Sequence, residues 1–218
     1  MVKNKIKIVE DYVKSIMGSK IAHDFKHVDR VRRWALNIAK NENFTNLNIV
    51  EAAALLHDIG MSKAEKTSEH GEIGAKMAVE FLNENKLFTG DEIAEIGNAV
   101  RHHNKNREGA GKLLEIIRDA DMIDMFGAVG LMRAFTSKSL NPDYNPAAIK
   151  GQTWGMTAKD FDKRFNSGVG VGSFITDQIN FQISCYDNLS TDYAKEIAKP
   201  LVNFMIDYQN ELETEILG

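Results

Sequence analysis

The chain has 218 residues, 43% apolar and 27% charged, with 27 Lys+Arg against 31 Asp+Glu. A net charge of −4 excludes a general nucleic-acid coat and a basic membrane-surface binder, and a chain this long can bury about 70% of its unfolded surface in one core. One cysteine, Cys185, excludes an internal disulfide and a Cys-rich zinc module and fits a reducing cytosol; no run of about 18 apolar residues is available to span a membrane, and the charged, periodic start MVKNKIKIVEDYVKSIM does not read as a signal peptide. These features predict a cytoplasmic protein that does not engage a membrane.

Apolar residues recur at helical spacing nearly throughout, with no convincing alternating strand. The pattern predicts helices over 3–17, 23–41, 48–59, 69–86, 91–104, 112–136 (broken near Gly127), 157–166, 173–188 and 190–215. Asn48 with Glu51, and Thr89 with Glu92, have N-cap/N3 spacing, and Gly60 directly after AAALLHDI is a natural helix stop. Residues 137–156, SKSLNPDYNPAAIKGQTWGM, hold two prolines and two glycines and read as a long loop; NSGVGVGS at 166–173 reads as a hinge before the next helix. The expectation is one all-α domain over 1–218, with a helical core of about 20–136, the loop, and C-terminal helices over about 157–218.

The six histidines, His23, His27, His57, His70, His102 and His103, all lie in the first 103 residues. His23 and His27 are four apart and share a helix face on the predicted 23–41 helix. His57 and Asp58 close an apolar run, where a charge needs a partner or a metal. Further on, RDADMID supplies Asp119, Asp121 and Asp124. Imidazole suits Zn, Fe, Ni or Mn, and carboxylate adds affinity for Mn and Mg. A helical bundle can gather such ligands from facing helices, and neighbouring His57 and Asp58 can converge on one ion near a helix end. His23 taken alone reads as a satisfied core histidine.

The segments HDFKHVDRV (23–31), ALLHDIG (54–60), HGEIGA (70–75), AVRHHN (99–104) and RDADMIDMFGAVGLMR (118–133) resemble, in this order, the HD superfamily of metal-dependent phosphohydrolases. The similarity covers about residues 20–136 and implies an HD-domain helical bundle with additional C-terminal helices. It implies His27, His57, Asp58 and Asp121 as metal ligands; Asp121 is preferred to Asp119 because the family carboxylate follows a small residue, here Ala120. Asp119 would tune the site, and Asp124 would support the next helix or give a hydrogen bond behind it. Members with two metals add two histidines, which His70 (H-x-x-x-G-A) and His103 (A-[IV]-x-x-H) match, with His102 as the fallback; in one-metal members such residues line the substrate pocket. One or two divalent ions, drawn from Mn, Mg, Zn, Ni or Fe, are implied.

The chemistry implied is hydrolysis of a phosphate ester or phosphoanhydride on a nucleotide or other small phosphorylated metabolite by metal-activated water, with Asp58 as ligand and as the group that orients or deprotonates that water. Arg30, Lys63, Arg101, Lys105 and Arg133 are the candidates to meet substrate phosphate, and Tyr144 and Trp154 in the 137–156 loop are candidates to close over it. Two alternatives come from other classes: an HD-fold di-iron oxygenase, which needs His70 and His103 both as ligands, and a non-catalytic ligand-binding module. The apolar stripe Ile175, Ile179, Phe181, Ile183, Leu201, Phe204 and Met205 suits packing on the core or on a second copy in a homodimer. DADMID fails as an EF-hand, GVGVGS lacks dinucleotide-loop spacing, the Met-rich helices near 116–132 read as core or subunit contact, and Cys185 has no neighbouring histidine to make it a nucleophile.

Overall fold

The computed structural model describes residues 4–18, 23–105 and 108–218. It is all-helical, in chain order α1 (Lys5–Ile16), α2 (Phe25–Asn41), α3 (Leu47–Leu56), α4 (His70–Asn85), α5 (Gly90–His102), α6 (Lys112–Ile123), α7 (Gly127–Ser137), α8 (Ala158–Asn166), α9 (Ile175–Ser184) and α10 (Asp192–Leu217), with 3₁₀ turns at Ile59–Ser62, Thr67–Glu69 and Cys185–Asn188. Among the described residues the only β-type pairing is an isolated bridge between Asn145 and Ala148. No described helix is long and apolar enough to cross a membrane. The chain divides into two compact units: Met1–Asp121 with Ser190–Tyr193, and Met122–Leu189 with Ala194–Gly218.

In the first unit α3 is the central element. Ile49, Val50, Ala52, Ala53, Ala54, Leu55 and Leu56 are all buried, and α1, α2 and α5 pack around it. A helix buried along the whole of its second half has to be enclosed, and the three consecutive alanines let its neighbours approach closely. Asn48 and Glu51 are its only polar residues, and His57 and Asp58 follow directly after the buried run, beyond Leu56. Elsewhere in this unit Tyr12 of α1 stacks on Phe81 of α4, with ring centroids 3.7 Å apart. Thr89 and Glu92 form the expected capping box at the start of α5.

Three local expectations are corrected. The N-cap of α3 is Asn46, without a side-chain cap bond, so Asn48 lies inside the helix. Helix α2 begins at Phe25 with Asp24 as N-cap, its carboxylate accepting from the His27 N–H at 3.1 Å, so His23 lies before the helix and not on it. Gly60 does not end α3 in a left-handed turn: α3 stops at Leu56 and Gly60 sits in the 3₁₀ turn that follows. Its missing side chain matters because a Cβ there would run into the backbone of α4, 2.6 Å from Gly74 N and closer still to the His70 carbonyl. The glycine therefore lets the segment after Asp58 lie directly on the start of α4.

In the second unit the predicted break near Gly127 separates α6 from α7; Gly127 has φ of +65°. Ile175, Ile179 and Met205 of the apolar stripe are buried there, whereas Phe204 is half-exposed. Phe161, Phe165 and Phe181 form an aromatic cluster with centroids 5.4–6.4 Å apart. Cys185 is a buried free thiol.

Candidate metal centre

Five imidazoles and two carboxylates of the first unit meet around Asp58. Each arrives by a different route: His23 from the segment before α2, His27 from its first turn, His57 and Asp58 from the end of α3, His70 from the first position of α4, His103 from the C-cap of α5, and Asp121 from α6. Asp58 Oδ2 lies 2.8 Å from His23 Nδ1, 3.4 Å from His27 Nε2 and 3.6 Å from His57 Nε2. Its other oxygen, Oδ1, lies 3.2 Å from His70 Nε2 and 3.5 Å from His103 Nε2. Asp121 Oδ1 closes the first group at 3.3 Å from His27 Nε2. The carboxylate of Asp58 thus has one donor group on each oxygen.

Hydrogen bonds behind the rings decide what the front atoms are. His57 Nδ1 donates to the Ala54 carbonyl at 2.7 Å, His103 Nδ1 to the Val100 carbonyl at 2.8 Å, and His70 Nδ1 to the Thr67 carbonyl. Each acceptor lies three residues earlier. A neutral imidazole carries one N–H, so in their neutral forms all three rings turn an Nε2 lone pair toward Asp58, and His103 is the ring whose Nε2 most readily takes a proton there. Two of these lone pairs, on His70 and His103, are only 2.9 Å apart, and His27 Nε2 is 3.2 Å from His57 Nε2. Lone pairs facing each other at hydrogen-bond distance repel unless a cation sits between them. Nitrogen and carboxylate donors with backbone-anchored rings are what divalent transition ions take, and that anchoring is the usual support behind a ligating histidine. The donor set fits a divalent ion on chemistry alone. Donor atoms of His23, His27 and Asp58, of His27, His57 and Asp121, and of His57, Asp58 and His103 each lie within 4.8 Å of one another.

Protonation follows the same geometry. Burial pushes the His57 pKa down to about 4, against the pull of Asp58 and Asp121, which keeps this ring neutral and ready to donate its lone pair. Burial would raise the Asp58 carboxyl, but His57, His103, His23 and His27 outweigh it and hold Asp58 well below the usual carboxylate range. Asp121 is held low in the same way by His27 and His57 against its burial. His103 goes the other way: burial opposes its proton, yet Asp58 and Asp121 raise its pKa. A cavity of about 190 Å³, lined by Ile16, Met17, Gly18, His23, Asp58, Met61 and Ser62, opens onto this cluster.

The structure brings together His27, His57, Asp58, Asp121, His70 and His103. His102 lies apart. Its Nδ1 is buried without a hydrogen bond to any described residue, 3.9 Å from Glu108, and its ring neighbours Gly109. Between α4 and α5 the close approach of Gly71, whose Cβ would lie 2.6 Å from the Arg101 carbonyl, sets the depth at which His70 and His103 face each other. Arg118 of α6 donates to the carbonyls of His102 (2.9 Å), Lys105 and Glu108 and so holds the end of α5 beside the helix that carries Asp121.

Among the cations considered for phosphate, Arg30 is partly buried on α2 one turn after His27, and Lys63 follows the 3₁₀ turn on the surface. Arg101 is engaged by Glu72 at 2.8 Å, Lys105 by Glu108 at 2.9 Å, and Arg133 by the side chain of Asp124. The Asp119 carboxylate is engaged elsewhere: it accepts from Ser190 N at 2.9 Å and from Thr191 N and Oγ1 at 2.7 Å each, tying that short segment to α6. Trp154 carries Lys150 Nζ over its ring, 4.9 Å from the centroid. The residue that sequence reasoning missed is His23. Its four-residue spacing from His27 was the available signal, but the reason it reaches Asp58 is the turn before the N-cap, which periodicity does not reveal.

Residues 24–125 match the family model described as HD domain. YpgQ of Bacillus subtilis (strain 168) is 26% identical over 220 residues, covering 96% of this chain and 93% of YpgQ. Its crystal structure in complex with ADP superposes with a TM-score of 0.65 at 22% identity over 98% of this chain and 96% of that one. A Lactobacillus plantarum protein gives a TM-score of 0.71 at 21% identity, covering 99% and 98% of the two chains, and an HD-superfamily hydrolase from Bacillus thuringiensis gives 0.69 at 20% identity, also covering 99% and 98%. At these identities the solved structures show a shared fold.

Proposed function

This chain carries an HD domain, and on that premise we propose that it is a metal-dependent phosphohydrolase acting on a nucleotide or another small phosphorylated metabolite. The observation that carries the reading is the facing of imidazole nitrogens, His27 with His57 and His70 with His103, about the two oxygens of Asp58, next to an open pocket. That arrangement supports a centre for two divalent ions, one on the Oδ2 side with His27, His57 and Asp121 and one on the Oδ1 side with His70 and His103. A divalent ion bound here supplies an acidified water and a polarised phosphoryl oxygen.

The chain's own groups do the rest. Asp58, held ionised by the rings around it, accepts a hydrogen bond from the attacking water and aims it. His57 stays neutral because it is enclosed. The Ala54, Thr67 and Val100 carbonyls keep three rings from rotating, so the donor positions are set before any ligand arrives. Arg30 is the cation best placed by sequence to meet a phosphoryl oxygen, one turn from His27. The ADP held by the YpgQ crystal structure supports a nucleotide as the substrate class.

The test is release of phosphate or pyrophosphate from a panel of nucleotides and sugar phosphates. Metal-stripped protein would be given Mn, Mg, Zn, Ni or Fe, with Asp58→Ala as control. Turnover that requires the ion and vanishes in Asp58→Ala is expected, and the product names the bond cut. No turnover with any ion, by protein that binds metal tightly, overturns the reading. The division of the donors into two groups also suits the di-iron oxygenase alternative; tightly bound iron whose absorbance changes on exposure to air would favour that chemistry instead.

A further inference from the structure

His23 differs from the other four rings of the cluster. Its side chain is 29% exposed, against 5% or less for His27, His57, His70 and His103. It lines the pocket that opens onto Asp58. It precedes the N-cap of α2 instead of sitting in or at the end of a helix. Among the described residues no backbone carbonyl holds its second nitrogen, whereas the rings of His57, His70 and His103 are each pinned from behind. Among the described residues it is tied down on one side only.

That one tie is to the oxygen around which the first donor group gathers. His23 Nδ1, His27 Nε2 and Asp58 Oδ2 are 2.8 and 3.4 Å apart along the two contacts to Asp58, and all three atoms lie within 4.8 Å of one another. Donors around one ion, each about 2.1 Å from it, sit about 3–4 Å apart; the His27–Asp58 pair is already at that spacing, and the His23–Asp58 pair, at hydrogen-bond distance, would open by a few tenths of an ångström around an ion. His27, His57, Asp58 and Asp121 offer four donors on this side, and an ion such as Mn or Mg, which prefers six, has two positions left. His23, which lines the pocket, would be placed to supply one of them.

We infer that His23 is a fifth, exchangeable ligand of the ion on the Oδ2 side, holding the position nearest the pocket until a phosphoryl oxygen takes it. The inference rests on the metal reading of the cluster. Anchored rings define the centre, and the unanchored one yields its place. A ring that merely donates its Nδ1–H to Asp58 would do neither.

The experiment uses the whole chain loaded with one equivalent of Co(II), whose visible band intensifies as coordination number falls, and inorganic phosphate as the probe. His23→Gln keeps an N–H donor for Asp58 but offers at most an amide oxygen, a weaker cobalt ligand with a different spectrum from imidazole nitrogen; His23→Ala removes both. Both variants are expected to give a more intense band and at least about 10-fold weaker affinity in chelator competition. Imidazole should restore the wild-type spectrum in His23→Ala, and phosphate should move the wild-type band without needing His23. A Gln variant with wild-type spectrum and affinity overturns the inference while leaving the metal centre intact, and so does a His23→Ala spectrum that imidazole cannot restore. Wild-type protein that binds no cobalt overturns the metal reading beneath it, whereas cobalt binding without phosphohydrolysis faults only the proposed reaction.

Discussion

Both units bury a polar cluster with an aspartate at its middle, and the two clusters are satisfied in opposite ways. In the second unit Asp177 accepts from Thr153 N (3.2 Å), Thr153 Oγ1 (2.8 Å) and Phe174 N (3.3 Å). Asn180 donates to the Lys150 carbonyl at 2.7 Å and to Thr153 Oγ1 at 3.2 Å, and Gln209 donates to Asn180 Oδ1 at 3.0 Å and to the Thr176 carbonyl at 3.1 Å. Amides and hydroxyls carry donors and acceptors on the same side chain, so each donor named here finds an acceptor within the network, and only the Thr176 Oγ1 and Gln209 Oε1 oxygens are left over. In the first unit His57, His70 and His103, when neutral, have spent their single N–H on a carbonyl, and only acceptors remain to face one another. The first kind of burial holds a fold together. The second stores a demand for a cation.

The largest expected effect breaks the first cluster at its shared atom pair. Asp58→Asn removes the charge common to both donor groups, and metal affinity should fall by more than about 100-fold, beyond what the loss of an outer hydrogen-bond partner costs. Chelator competition measures it, and phosphate release should disappear with it. Gly60→Ala attacks the packing that brings His70 to the cluster; the clash with the backbone of α4 should cost about 3 kcal/mol in urea unfolding and weaken metal binding together with stability. Full stability with normal metal binding would mean that the start of α4 does not depend on that contact.

The pH dependence sharpens the same comparison. His57 has a folded pKa of about 4 against an ordinary value of 6.5, so the unfolded chain binds more protons between those limits. Its contribution is therefore present in full above about pH 6.5 and is lost as pH falls toward 4, by about 3 kcal/mol. His103, whose pKa is raised, works in the other sense: its contribution is present below 6.5 and is lost as pH rises through the raised value. Comparing metal-stripped wild type with His57→Asn isolates the first effect, because the variant should lose less stability between pH 6.5 and 4. The smallest effect comes from the second cluster. Asp177→Ala strands the Thr153 and Phe174 N–H groups and should cost about 2 kcal/mol in thermal or urea unfolding, with metal affinity unchanged. A change in metal binding would show that the two clusters are not independent.

Much of this was legible in the residues. The confinement of every histidine to the first 103 positions, the AAALL run before His57 and Asp58, and the capping pair Thr89 and Glu92 all carried their structural meaning openly. So did the five ordered motifs, because each places a ligand type at a helix end or first turn. Other features were misread for physical reasons. Asn48 and Glu51 have cap spacing, but the helix starts at Leu47, which places the cap at Asn46, two residues earlier than the pattern says. Gly60 looks like a stop signal because glycine serves both for left-handed turns and for close backbone approach, and composition cannot tell these apart. Asp119, two residues before Asp121, faces a different way on α6 and is consumed by Ser190 and Thr191, a partner more than 70 residues away in sequence.

By itself, then, the sequence determined the all-helical class, the helix order and the residue types gathered at the centre, since periodicity and local spacing are properties of neighbours along the chain. Only the tertiary structure decided that His103 enters the cluster and His102 does not, that His23 joins it, and that three rings present lone pairs and not N–H groups. Adjacent residues on a helix point about 100° apart, and which of them faces inward is set by how closely α4 and α5 approach at Gly71. The tautomer of each ring is set by a carbonyl freed at a helix end. These are consequences of packing and hydrogen bonding between segments, which no local pattern contains.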